Sequence, residues 1–264
     1  LVNCVIVTSI DVDVGSRVLG MVNMGRNDRE VNDYYDESTI GRIEEQALPL
    51  IVEFFNELEV PVTFAIRGQL LDVDPAILDL ISASPIRHEV GSHSYHHRDF
   101  TTLSREEADD DLKLVSAAME KFKITPRSFI FPKNRVAHLD LLERYGYLCY
   151  REPRGFMKDG RFIEKRGKLY DIHPSLYLDR YTNVTLTKKI LELSVKDKTP
   201  FHLWFHPWNL GEDKESVEKT LSRVFLPIFK YAKLREREGK LEFATMCSAV
   251  SKLSKVDSDL KAIL

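Results

Sequence analysis

The chain has 264 residues, 43% of them hydrophobic and 30% charged, a balance that supplies a sizeable core and excludes a disordered or fibrous protein. Lys and Arg number 38 against 41 Asp and Glu, a net charge of −3, so no overall field favours nucleic acid or an anionic membrane surface. No apolar run approaches the roughly 18–20 residues that cross a bilayer, and no transmembrane segment is expected.

Leu1-Val2-Asn3-Cys4-Val5-Ile6-Val7-Thr8 reads as a strand, without the basic leading region of a signal peptide. Cys4, Cys149 and Cys247 are scattered, form no C-x-x-C pair and read as reduced core thiols, which points to a cytoplasmic protein. Val5 to Ile10 is an apolar, β-branched run of strand length, followed at once by Asp11-Val12-Asp13. Carboxylates just past a buried strand sit where α/β folds place their chemistry. Strand alternation gives Asp11 and Asp13 one face, with Val12 turned away. A pair of turn or cap aspartates is the structural alternative.

Residues 16–39, rich in Asn, Arg and Asp, read as a long loop over the mouth of the fold. Its Arg26, Arg29 and Tyr34 are candidates for holding an anionic part of a substrate. Helical spacing follows from Ile40 to Leu58, then a strand over Pro61 to Ile66 and a short helix over Pro75 to Ser82. The next stretch, His88-Glu89-Val90-Gly91-Ser92-His93-Ser94-Tyr95-His96-His97, enters as a strand and leaves through His-x-x-x-His. One helical turn or a tight loop brings His93 and His97 to one point. Two neutral imidazoles and one carboxylate make a three-ligand set for a divalent metal that keeps an open position. Zinc suits such a set first, while cobalt, nickel, manganese and iron accept the same ligands. His96 reads as a neighbour rather than a ligand.

Ser104 caps a helix that runs to Phe122. Ser128 to Phe131 is a strand leading into Pro132-Lys133-Asn134-Arg135, and Val136 to Tyr145 a helix closed by Gly146. Tyr147 to Tyr150 is a short strand, with Arg151 beyond it and a Gly- and Lys-rich loop to Lys168. Leu169 to Ile172 is a strand ending at His173, and Val184 to Val195 is helical. Phe201 to Phe205 is a strand finishing in His206-Pro207-Trp208-Asn209. A helix from Lys214 to Glu238, a strand from Leu241 to Thr245 and a helix from Cys247 to Leu253 close the chain. Strands alternating with helices predict a mostly parallel sheet, closed or nearly closed into a barrel, in one domain over 1–264. His202 shares a strand face with His206 and reads as a buried hydrogen-bonding residue. His138 reads as a solvated helix residue, and His173 as lying off the mouth.

With Asp11, Asp13, His93, His97, Lys133 to Arg135, Arg151 and His206 at successive strand ends, the chain resembles the polysaccharide deacetylase family, the NodB-like carbohydrate esterases of family four. The resemblance runs from Val5 to about Val250 and implies an α/β fold, a distorted (β/α) barrel of seven strands, with one divalent metal ion. The histidine stretch looks like the family's second motif, which implies His93 and His97 as ligands. Asp11-Val12-Asp13 looks like the first motif with one residue between the acids, which implies Asp11 as general base and Asp13 as third ligand. Trp204-Phe205-His206 looks like the fifth motif, which implies His206 as general acid.

The departures lie around the substrate. The intervening Val12 marks a subgroup acting on less usual substrates. The arginine that opens the third motif is replaced by Lys133-Asn134-Arg135, so the cation bracing Asp11 is Lys133, Arg135 or Arg151. The fourth-motif tryptophan has no counterpart. Trp204 stands where leucine is usual and is expected to line the acetyl pocket, and Trp208 and Asn209 sit beside His206 either as substrate contacts or as residues that shape the loop.

The implied activity is removal of an acetyl group from an N-acetylated sugar, small or lipid- or nucleotide-linked, by a chain free to form a homo-oligomer. The alternatives are allantoinase-like hydrolysis of a non-sugar amide or cyclic imide, and a non-catalytic carbohydrate-binding protein.

Overall fold

In the computed structural model, which describes residues 4–13, 46–152, 163–211 and 213–253, the alternating pattern becomes one sheet of ten strands. Its centre is β1 (Cys4–Val12). The first half of β1 pairs with β10 (Leu241–Ala244) and the second half with β2 (Thr63–Ile66), while its other edge carries β9 (Phe201–Phe205). Beyond β2 come β3 (Glu89–Ser92), β4 (Ser128–Ile130), β5 (Cys149–Arg151), β7 (Leu169–Ile172) and β6 (Ile163–Arg166). Beyond β9 lies β8 (Leu176–Tyr177). Every pairing is parallel except the hairpin of β6 and β7.

The sheet is strongly curled. Four strand steps separate β5 from β1, roughly 19 Å if the sheet were flat. Yet Arg151 of β5 reaches Asp11 of β1 at 2.7 Å, and its guanidinium lies 4.3 Å from the Trp204 ring of β9. Only a sheet wrapped around a lumen brings these strands together. No pairing joins β6 to β8 among the described residues, so the barrel is the open, distorted α/β one that the resemblance implies.

Alternation then sorts the side chains. Toward the lumen, Val5, Val7, Ala65, Ile130, Cys149, Ile172 and Ala244 form a small apolar layer, plugged from below by Met246, Ala249 and Val250 of the helix over 246–253. Space there is tight: a Cβ on Gly91 would meet Ser128 Oγ at 2.4 Å. One step up each strand the lumen turns polar, at Ser9, Asp11, Arg151 and His202.

Toward the outside, Ile6, Ile10, Val12, Phe64, Phe129 and Phe205 pack under the helices. Phe54 and Phe55 of α1 (Leu48–Glu57) meet Phe225 and Phe229 edge to face, with Phe205 beneath them. Full burial of each such ring contributes about 1.5–3 kcal/mol, which fixes this side of the barrel.

Two short helices follow β2: α2 (Gly68–Val73) and α3 (Ala76–Ser82). The helix α4 (Arg105–Glu120) starts at Ser104, which forms a capping box with Glu107. Gly146, at φ +78°, follows α5 (Leu139–Arg144), and Asn183 caps α6 (Val184–Asp197). No helix among the described residues is long and apolar enough to cross a membrane.

Several elements differ from expectation. The helix expected over 214–238 is α7 (Lys214–Thr220), a π turn (Leu221–Phe225) and α8 (Leu226–Arg237). Pro227 offers no amide hydrogen to the preceding turn, and the ladder widens there. The helix α2 and the strands β6 and β8 escape the sequence pattern because each is six residues or shorter. Asp11 lies inside β1 and Arg151 inside β5, each a residue or more before the expected loop. His138 is not a solvated helix residue. It precedes α5 in a left-handed conformation, half-buried, with Nε2 3.0 Å from the Leu103 carbonyl. The loop at 16–39, with Arg26, Arg29 and Tyr34, and the first turn expected at 40–45 lie outside the described residues.

Candidate metal centre

The histidine loop begins where β3 stops. His93 N still donates to Ile66 O at 3.0 Å, but Ser94 and His97 then take left-handed φ values of 59° and 58°. The spacing is therefore realised as a tight loop rather than a helical turn. Such conformations cost about 1 kcal/mol or more each outside glycine and persist where neighbours hold them. Here Ser94 Oγ accepts from His97 N at 2.9 Å, and Gly68 N donates to Ser94 O at 2.8 Å. Buried Asp111 of α4 accepts from Tyr95 N at 2.8 Å and from His96 N at 3.0 Å. Burial raises the Asp111 carboxyl above its ordinary pKa, and the two amides offset only part of that rise.

The loop turns both rings inward, 4.8 Å apart. His97 Nε2 lies 3.4 Å and His93 Nε2 4.0 Å from Asp13 Oδ2. The other oxygen of Asp13 accepts from Trp208 Nε1 at 3.1 Å. His93 Nδ1 lies 2.8 Å from the Ile130 carbonyl, which can only accept. Nδ1 therefore carries the hydrogen and Nε2 the lone pair, and this Nε2 is buried without a hydrogen-bond partner.

Two ligands about 2.0–2.1 Å from one tetrahedral ion stand roughly 3.4 Å apart. The ligand atoms of Asp13, His93 and His97 already lie within 4.8 Å of one another. Burial depresses the pKa of His93, and that of His97 well below the ordinary value, so both rings are neutral, the form that ligates. Burial raises Asp13, an effect that His206 and His93 only partly offset and that Asp11 reinforces. The three residues fit a divalent cation.

Asp11 stands beside this group in a different environment. Arg151 donates to its two oxygens at 2.7 and 2.5 Å, with both side chains buried. The same guanidinium donates to Ser9 Oγ at 3.0 Å and to Asn134 Oδ1 at 3.3 and 3.0 Å, and the Trp204 ring covers it. Burial alone would raise the Asp11 carboxyl; Arg151, then His93 and His206, outweigh it and hold the carboxyl below its ordinary range. Of the three candidate cations, Arg151 is thus the one paired with Asp11. Arg135 is largely exposed and pairs with Asp99 at 3.3 Å, and Lys133 is exposed on the turn Pro132–Asn134. Trp204, expected at an acetyl pocket, covers Arg151.

His206 follows β9. Asn209 Oδ1 accepts from His206 N at 2.8 Å and from its Nδ1 at 2.9 Å, so Nε2 faces inward, 3.7 Å from Asp11 Oδ2 and 3.5 Å from Asp13 Oδ2. Trp208 stacks on the ring at 4.3 Å and 21°. Asn209 thus orients His206. His202 is fully buried as expected, with Nε2 2.9 Å from Ser9 Oγ. Burial, with the charge of Arg151, lowers its pKa to about 3.

Sequence reasoning missed Ser9 and Asp111. Ser9 had a signal, two positions before Asp11 on the same strand face; Asp111 sits in an acidic helical run that gives none. A second group, Glu164, Asp171 and His173, has Arg166 at 3.4 Å from Glu164 and 3.7 Å from Asp171, so a cation already sits among its acids. His173 is buried beside Asp171.

Comparisons with known proteins bear on the family and the fold. The family model described as polysaccharide deacetylase matches residues 27–148. The chain is similar to the peptidoglycan-N-acetylmuramic acid deacetylase PdaA of Bacillus subtilis (strain 168), 27% identical over 128 residues. That match covers 46% of this chain and 47% of the relative, about half the relative's length. Among solved structures, a Mycobacterium smegmatis protein assigned as a polysaccharide deacetylase has a TM-score of 0.62 at 15% identity, covering 93% of this chain and 94% of that one. PuuE allantoinase has a TM-score of 0.68 at 14% identity, covering 95% and 90%. At such identities the likeness is one of fold.

Proposed function

We propose that this chain, whose residues 27–148 match the polysaccharide deacetylase family model, is a metal-dependent hydrolase removing the acetyl group from an N-acetylated sugar or sugar conjugate. The observation that carries this reading is the buried, unpartnered Nε2 of His93 beside His97 and Asp13, next to an Asp11 held ionised by Arg151. Asp13, His93 and His97 would hold the cation, zinc being the best match to two imidazoles and a carboxylate. Such an ion supplies Lewis acidity toward an amide oxygen and lowers the pKa of a water.

The chain's own groups do the rest. Asp11 accepts a proton from the attacking water, and Arg151 and Asn134 keep its carboxylate aimed and charged. His206 gives a proton from Nε2 to the departing amine nitrogen, which leaves poorly as an anion. Trp208 holds both Asp13 and the His206 ring, so ligand and acid share one support. Water and amide are consumed, and acetate and a free amino sugar are formed.

A second reading, hydrolysis of a non-sugar amide, is favoured by one observation: the cation bracing Asp11 is Arg151 of β5 rather than Lys133 or Arg135, a departure at the substrate side of the site. Zinc-loaded protein incubated separately with N-acetylglucosamine oligomers and with allantoin distinguishes the two. Acetate from the sugars is expected. A ring-opened ureide from allantoin without acetate would reject the first reading for the second.

A further inference from the structure

The outer face of α6 and α8 mixes exposed leucine with unpaired positive charge. The two helices lie side by side, joined where Glu192 of α6 accepts from Arg235 Nε of α8 at 3.0 Å and where Lys188 Nζ lies 5.8 Å from the Tyr231 ring centroid. Five large hydrophobic side chains are largely exposed among the described residues. Three of them belong to this pair: Leu186 and Leu193 of α6, at 54% and 57%, and Leu234 of α8, at 49%. A fourth, Tyr181, stands on the turn that leads into α6, beside the rim that carries Trp208. Single exposed leucines are ordinary on a protein surface, but four of the five on one side are a concentration.

The charge is as uneven. Residues 183–198 and 221–240 hold ten Lys and Arg against four Asp and Glu, in a chain whose net charge is −3. Three of the four acids are already paired within the face, Glu192 with Arg235, Glu236 with Lys233, and Glu238 with Arg235 and Lys240. Lys189, Lys196 and Lys198 at α6, Arg223 on the π turn, and Lys230 and Arg237 of α8 are exposed and have no ion-pair partner among the described residues. Against these six stands one exposed acid in the same condition, Asp197. Helical spacing sets the cations among the leucines. Leu186, Lys189, Leu193 and Lys196 succeed one another by three or four residues along α6, and Lys230, Leu234 and Arg237 do so along α8. Each helix therefore turns one mixed stripe outward.

This mixture selects the partner. A second copy related by a two-fold axis would set the six cations against themselves. Nucleic acid answers the charge but leaves the leucines in water. An anionic bilayer answers both, because its headgroup phosphates meet Lys and Arg while the leucines enter the acyl boundary and a tyrosine sits at the interface. We propose that the face of α6 and α8 is a docking surface for an anionic phospholipid bilayer, by which the chain lies on a membrane without crossing it. Docking there brings the Tyr181 end of the face, and with it the rim beside Trp208, to the lipid surface. The inference stands without the deacetylase reading.

Co-sedimentation of the full chain with vesicles of phosphatidylcholine, alone or with about one-third phosphatidylglycerol, tests this. The wild type is expected to bind the anionic vesicles at least about tenfold more tightly than the neutral ones, and to be released by salt. Replacing Lys189 and Lys230 together by Gln should weaken that binding about 30-fold, and replacing Leu186 and Leu193 together by Gln about tenfold. All four side chains are exposed, so both variants fold, and an unchanged melting temperature checks it. No binding to anionic vesicles, or binding that survives either pair of substitutions, would overturn the proposal. So would a wild type that light scattering shows to be a dimer and that becomes a monomer when the two leucines are replaced, since a second copy would then cover the face.

Discussion

Replacing Arg151 by Met keeps most of its volume and removes the cation from Asp11. The pair is buried on both sides and makes two short hydrogen bonds, so solvent screens little of it. An opposite charge at this distance lowers a carboxyl by about 1–3 pKa units, or about 1.4–4 kcal/mol at 1.36 kcal/mol per unit. The substitution also leaves Asn134 Oδ1 and Ser9 Oγ without their donor. Together these place the loss at about 3–5 kcal/mol at pH 7, the range for half of a buried pair.

The pH dependence carries the sign. The wild-type carboxyl lies below its unfolded value, so its stabilisation is complete above that value and is lost as pH falls through the folded one. In Arg151→Met the buried carboxyl rises instead, and the variant regains stability as it takes up a proton. The gap therefore narrows as pH falls, first through the raised pKa of the variant and last through the depressed one of the wild type. Urea unfolding of EDTA-treated wild type and variant between pH 7 and pH 4 reads this directly. A gap below about 1 kcal/mol at pH 7, or one constant with pH, would refute the role given to Arg151.

Asp111→Ala removes the acceptor for Tyr95 N and His96 N, and the loop that presents His93 and His97 loses its outer support. Zinc affinity, measured by competition with a chelating dye, should fall about 10–100-fold, as for other groups that orient ligands; unchanged affinity would free the loop from Asp111. His202→Gln should flatten the stability profile between pH 6.5 and pH 4.5. The buried ring stays neutral to about pH 3 while the unfolded one protonates near 6.5, so wild-type stability falls with pH by up to about 1.4 kcal/mol per unit. Equal slopes in urea titrations of the two proteins would contradict this. Ser104→Ala opens the capping box of α4 and should lower stability by about 1 kcal/mol in the same assay, with no loss if the cap carries no weight.

Much of the site is legible in the sequence because it depends on local periodicity. Asp11 and Asp13 share a face by the two-residue repeat of a strand, and His93 and His97 converge by loop spacing. His202 and His206 also follow alternation, one buried in the lumen and one at its rim. The brace could not be read this way. Arg151 stands 140 positions from Asp11, and only the curl of the sheet closes that distance. Lys133 and Arg135 were equally good candidates until the curl put Arg151 under Trp204. The support of the histidine loop by Asp111 comes from helix-to-loop packing, which no spacing encodes. Likewise α2, β6 and β8 are too short to show a period, and tertiary pairing makes them.

Acetate release from N,N′-diacetylchitobiose by zinc-loaded wild type and Asp11→Asn, with metal content determined on the same samples, tests the proposed chemistry most directly. About one equivalent of zinc in both and acetate from the wild type alone is the expected result. Comparable acetate from Asp11→Asn would contradict Asp11 as the base, and a wild type that retains no zinc would contradict the Asp13–His93–His97 centre itself.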